Sequence, residues 1–202
     1  MAIVINGNGT VTGISVGGLP DGVVDAGTLA TNSVDSAELI DGSIDTAHIG
    51  TDQITSAILP AGSAIQVVTA SDNTTITLSG TLGVYSTGVS ATITPSSTAS
   101  KIIVIAVLQY HLSSGNHAAI ASRILRASTN IHATSFNGYY GAETFNRIQS
   151  QTVTVLDSPN TASAVTYYLQ GANEAGSTNI GPYVGKLNQY NESSIMLIEI
   201  KG

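Results

Sequence analysis

Residues 24–63 read VDAGTLATNS (24–33), VDSAELIDGS (34–43), IDTAHIGTDQ (44–53) and ITSAILPAGS (54–63). The first position of each decad is β-branched: Val24, Val34, Ile44, Ile54. The sixth is Leu or Ile: Leu29, Leu39, Ile49, Leu59. The second position is Asp25, Asp35 and Asp45, then Thr55; the fourth is Gly27, then Ala37, Ala47 and Ala57. An apolar residue every five positions suits neither a strand, whose faces alternate every two, nor a helix, where five residues turn the side chain well past its starting face. Each decad is therefore expected to form a turn of short helix and a connector. Asp35, Asp45 and Thr55 are suited to capping that turn, and Asp41-Gly42-Ser43 supplies a turn signal. One apolar side chain per five residues buries too little surface to offset the backbone entropy of ordering the segment. The eight repeated apolar residues need partners from neighbouring chains, and winding identical chains together provides them.

Outward from this repeat the composition divides. The 202-residue chain has a formal net charge of −7, only 9% charged residues, no cysteine and no tryptophan. Up to residue 63 there are seven acids (Asp21, Asp25, Asp35, Glu38, Asp41, Asp45, Asp52) and no base. After it stand six acids and the six bases Lys101, Arg123, Arg126, Arg147, Lys186 and Lys201, so the repeat side carries the whole net charge. No basic stripe exists to neutralise phosphates, and no nucleic-acid role is expected. The absence of cysteine excludes a disulfide framework and thiolate metal sites. The N-terminus has neither a basic region nor a long apolar run, and no window suits membrane insertion. Residues 1–23 are expected to dock the chain to a partner: Ile3-Val4-Ile5 and Thr10-Val11-Thr12 flank Asn6-Gly7-Asn8-Gly9 in the manner of a β-hairpin.

From residue 64 to 202 short β-rich runs alternate with turn clusters, with strands expected near 64–70, 74–79, 83–86, 89–94, 101–111, 118–127, 129–134, 145–156, 163–171, 180–185 and 194–201. Many short strands at this spacing indicate an antiparallel β-sandwich or jelly-roll tip. Ile102-Ile103-Val104-Ile105-Ala106-Val107-Leu108 and Ile195-Met196-Leu197-Ile198 are apolar on both faces. A sandwich strand normally shows one face to water. The second face must be covered, either by loops of the same chain or by a neighbouring subunit.

Little in the chain suggests catalysis. Gly13-Ile14-Ser15-Val16-Gly17 matches the nucleophile-elbow pattern but lacks the α/β sheet that the elbow requires. Gly7-x-Gly9 is a turn without the third glycine of a dinucleotide fingerprint. His48, His111, His117 and His132 have no acid or cysteine cluster about them and are read as surface or packing residues, the alternative being a three-histidine site across a threefold axis at His48, His111 or His117; no metal site and no cofactor are expected. No carboxylate pair stands out for acid–base work, and the chain is expected not to be an enzyme. What remains is a binding surface. Asn137, Tyr139 and Tyr140 lie in a glycine-flanked aromatic loop, Asn188 and Tyr190 in a second, and His111, Asn116 and His117 around a third; tyrosine gives amphipathic contact area that stacks on sugars. The same tyrosines would equally serve a subunit interface.

The decads VDSAELIDGS and IDTAHIGTDQ resemble those of bacteriophage fibre shafts. The opening INGNGTVTGISVGGLPDGVVDAGTLA resembles the N-termini of virion fibre proteins, and SATITPSSTASKIIVIA, VLDSPNTASAVTYYLQ and SIMLIEI are similar to a phage fibre-tip domain. The resemblance implies a homotrimer located in the virion, mainly β, with 1–23 docking to tail, baseplate or capsid proteins, 24–63 as a trimeric shaft and 64–202 as a trimeric jelly-roll tip touching host-surface glycan or protein. It also allows a head fibre, decoration or adaptor without a receptor. In the shaft, Val24, Leu29, Val34, Leu39, Ile44, Ile49, Ile54 and Leu59 would form the trimer core.

Overall fold

A computed structural model describes residues 4–5, 11–12, 34, 39, 42, 44–78, 84–114, 118–134, 137–139, 145–173, 184–187 and 191–202. The chain divides into two units, Met1–Ile54 and Thr55–Gly202. In the first, β1 (Val4–Ile5) pairs antiparallel with β2 (Val11–Thr12).

The described part of the repeat contains turns rather than helix. His48 N donates to Asp45 O at 3.1 Å and Gln53 N to Gly50 O at 3.2 Å; in the second unit Ile58 N donates to Thr55 O at 3.0 Å and Ser63 N to Pro60 O at 3.2 Å. Each turn begins one residue after an apolar rung: Ile44, Ile49, Ile54, Leu59. The structural period is thus five. The decad arises because alternate turns differ: Gly42, Asp52 and Gly62 sit at positive φ (78°, 63° and 89°). Asp52 and Gly62 are the third residues of their turns, as a type II turn requires. Only residues tolerant of the left-handed region suit that place. Asp45 does receive the Ala47 amide at 2.8 Å, so the expected capping bond forms, but the next pentad begins before a second helical turn can nucleate.

The second unit is all β among its described residues, with two antiparallel sheets. The strands are β3 (Ala64–Asp72), β4 (Ile76–Thr77), β5 (Tyr85–Ile93), β6 (Lys101–Ser114), β7 (Ala118–Arg126), β8 (Thr129–Ala133), β9 (Asn137–Tyr139), β10 (Phe145–Asp157), β11 (Val165–Asn173), β12 (Val184–Leu187) and β13 (Ser193–Ile200). Along one edge of β6, Lys101–Val107 pairs with β13 and Tyr110–Ser113 with β12, while β10 follows the other edge. β3 and β4 continue outward from β13 and β12. The first sheet therefore has four lines, β3/β4, β12/β13, β6 and β10. The second also has four: β5, β11, β7 and then β8 and β9 end to end. Numbered along the chain, the eight lines order as 1-8-3-6 and 2-7-4-5. The expected strands 83–86 and 89–94 are one strand, bulged at Gly88, where an added Cβ would lie 3.0 Å from Leu108 Cδ1.

Alternation explains the core. In β6 the even residues Ile102, Val104, Ala106, Leu108 and Tyr110 are buried, and they meet Val89, Ala91 and Ile93, Ile120 and Ile124, Tyr167 and Leu169, and Ile195 and Leu197. Two polar groups pin this core. Asp157, ending β10, receives both carboxylate bonds from Arg126 Nη1 (2.8 and 2.9 Å) and one from the buried Tyr167 hydroxyl (2.7 Å), which ties the first sheet to the second. Burial, reinforced by this carboxylate, pushes the Tyr167 hydroxyl far above the ordinary tyrosine range. Glu199, fully buried on β13, receives the Ser96 amide and hydroxyl, each at 2.7 Å. Burial alone would raise its pKa; the Ser96 bonds outweigh that and hold it below the ordinary carboxylate value.

Candidate functional site: the open face of the first sheet

The odd residues of β6 point away from the core, and strand register sets their neighbours. Antiparallel partners share a face, so Val67, Ile198, Ile103 and Leu156 form one row across all four lines of the sheet. The next row is Thr69, Met196, Ile105 and Thr154, and the third is Ser71, Ser194, Val107 and Thr152. Val67 and Leu156 are each 58% exposed and Met196 38%. Between the second and third rows lies a shallow depression of about 400 Å³, lined by Thr69, Ser71, Ile105, Val107, Ser194 and Met196 among others. Apolar chains run unbroken across four lines, exposed at the outer members Val67 and Leu156 and half-buried at Ile198 and Ile103. A patch of this kind on a sheet face is the usual mark of a contact surface.

The first row lies at the end of the sandwich where the repeat enters. Lys201, next after β13, exchanges backbone bonds with the repeat: Gly62 N donates to Lys201 O at 2.8 Å and Lys201 N to Ser63 O at 2.9 Å. Its Nζ donates to the carbonyls of Ala57 (3.0 Å) and Leu59. The last pentads are thereby held against the tip. In the repeat, Val34, Leu39, Ile44, Ile49 and Ile54 are 40–54% exposed in the single chain, Leu59 is half-buried, and Val24 and Leu29 lie outside the described residues.

The structure sorts the sequence-derived binding candidates unevenly. His111 is only 6% exposed and lies within β6, which runs on to Ser114. Extension of the strand replaces the loop expected from Leu112 onward, so His111 is unsuited to a surface contact in this chain. Asn137 and Tyr139 belong to β9, which pairs with Ala118–Ile120; the segment read as a loop is a strand there. Asn116, His117, Tyr140, Asn188 and Tyr190 lie outside the described residues. No cluster of metal-ligating side chains occurs among the described residues. In the repeat, His48 Nδ1 lies 2.8 Å from Asp45 Oδ1. Sequence reasoning asked for a cover over β6 and β13 but missed Val67 and Leu156, which complete the row. Their signal was local: the outward positions next to them on the same strands are hydroxylic, Thr69 and Ser71 beside Val67, Thr154 and Thr152 beside Leu156.

No family model matches the chain, and no curated protein matches it. Among solved structures, it is similar to a structure of the infectious bursal disease virus Gx strain, with 11% identity over 69% of this chain and 34% of that one and a TM-score of 0.42. It is also similar to the VP2 subviral particle of the same virus, with 14% identity over 68% and 33% of the two chains and a TM-score of 0.38. The chain spans about a third of the length of those proteins. At these scores and identities the likeness bears on neither family nor function.

Proposed function

We propose that the chain is the subunit of a homotrimeric virion fibre of the phage type, a structural protein rather than an enzyme. In this reading residues 1–23 dock to other virion proteins, the pentad turns form the shaft, and the sandwich is a distal tip that meets host-surface glycan or protein. The observation that carries it is the Val67–Ile198–Ile103–Leu156 row, apolar from edge to edge and open in the single chain. In the repeat the described apolar rungs are half exposed as well, and they call for the same kind of cover. The 1-8-3-6 and 2-7-4-5 line order supports reading the tip as a jelly roll, eight strands in two Greek keys. Electron microscopy of the full chain tests the fibre: thin rods ending in a single knob are expected, and isolated compact particles would contradict it.

A further inference from the structure

The outer face of the second sheet has the opposite chemistry. Arg123 of β7 stands opposite Gln170 of β11, which stands opposite Thr87 of β5. Their side chains are joined in series: Arg123 Nε donates to Gln170 Oε1 at 2.8 Å, and Gln170 Nε2 donates to Thr87 Oγ1 at 2.9 Å. The guanidinium carbon lies 3.9 Å from the centroid of the Tyr85 ring. Tyr85 itself faces Ala172, which faces Ala121, so no bulky neighbour competes for the space. Two residues before Gln170, Tyr168 shows its half-buried ring on the same face.

This arrangement leaves one part of Arg123 available. The ring occupies a face of the guanidinium and Gln170 takes its Nε–H, while neither Nη group has a hydrogen-bond partner among the described residues. Among those residues the arginine paired with a carboxylate is Arg126, with Asp157, so Arg123 has no carboxylate there. Arg126 shows the contrast: its Nη1 is occupied by Asp157 and by the Ser158 carbonyl at 3.0 Å. A free surface arginine loses about 0.5–1.5 kcal/mol of side-chain freedom when a ligand fixes it. Here folding has already fixed it, with its planar fork presented for two parallel bonds to an oxyanion. The Tyr85 ring, the Gln170 amide and the Thr87 hydroxyl stand beside the guanidinium, and Tyr168 stands in the next row of the same face, opposite Leu125; aromatic rings with polar neighbours suit the apolar face and the hydroxyls of a pyranose.

We propose that Arg123, Tyr85, Gln170, Thr87 and Tyr168 form a subsite for a carboxylate-bearing sugar of a surface polysaccharide. The subsite rests on the reading of the tip as the host-facing end of the fibre. The carboxylate meets the Arg123 fork, and the sugar ring lies toward Tyr168. The tip adds no opposing field, since its acids and bases balance.

The test is calorimetric titration of the full chain with an oligoglucuronate and with its carboxyl-reduced, neutral counterpart. The acidic sugar is expected to bind at least about tenfold more tightly, a difference of about 1.4 kcal/mol. Arg123→Lys keeps the charge but loses the fork, and should remove that preference while the chain stays folded in the same oligomeric state. Tyr168→Ala, which leaves the arginine row intact, should weaken both sugars. Equal binding of acidic and neutral sugars, an unchanged preference in Arg123→Lys, or equal binding of an aspartate-rich peptide would each overturn the subsite. A trimer that ignores acidic sugars refutes this subsite alone; a monomer refutes the fibre reading whatever the sugars do.

Discussion

Leu156→Asp places a charge at the edge of the open apolar row. Leu156 is 58% exposed in the single chain, so the isolated subunit should tolerate the change, at a cost of no more than about 1 kcal/mol for an exposed strand position. In the proposed trimer the position would be covered. Full burial of a leucine side chain contributes roughly 1.5–3 kcal/mol, of which the exposed part here is about 1–2 kcal/mol per copy. Three copies then lose at least about 3 kcal/mol, and desolvating three unpaired carboxylates costs several more for each. A conservative total of about 5 kcal/mol per trimer lowers the assembly constant by more than about a thousandfold. Sedimentation velocity of the full chain should show the variant as folded single chains where the wild type remains assembled, with the β-sheet circular dichroism of both alike. Ser90→Asp, exposed on the other sheet, should leave assembly untouched. A Leu156→Asp protein that sediments like the wild type would refute the reasoning.

Two further outcomes concern the core pins. Asp157→Ala strands the Arg126 guanidinium and the buried Tyr167 hydroxyl together and should cost about 3–5 kcal/mol in chemical denaturation, whereas Tyr167→Phe should cost about 1–2 kcal/mol. Glu199, whose pKa is depressed in the folded chain, stabilises the fold at neutral pH. That contribution disappears as pH falls below the ordinary carboxylate value of 4.5 through the depressed one. Glu199→Gln should therefore be less stable than wild type at pH 7, and the difference should shrink in acid; a constant difference across that range would exclude the carboxylate as its source.

The strands were legible because alternation and β-branching are local. Ile102–Leu108 announced both its buried and its outward set, and ten of the eleven strands among the described residues of the second unit fall on or beside expected segments. β9 was missed because Asn137-Gly138-Tyr139 carries turn residues, and its pairing with Ala118–Ile120 is tertiary. The repeat was legible as a period but not as a conformation. Counting by ten concealed five-residue turns, although Asn32, Gly42, Asp52 and Gly62, all tolerant of positive φ, recur at the ninth place of each decad. The members of the apolar row and of the Arg123 row could not be joined into rows from the sequence. Each depends on register between strands far apart in sequence, as with Val67 and Leu156, and nothing local sets that register.

Native mass spectrometry of the unmodified full chain at about micromolar concentration, where specific assemblies persist, tests the central claim most directly. A species at three times the 20.5 kDa chain mass, with the single chain absent, is the result expected from the open apolar row and the half-exposed rungs. A spectrum dominated by the single chain would contradict it.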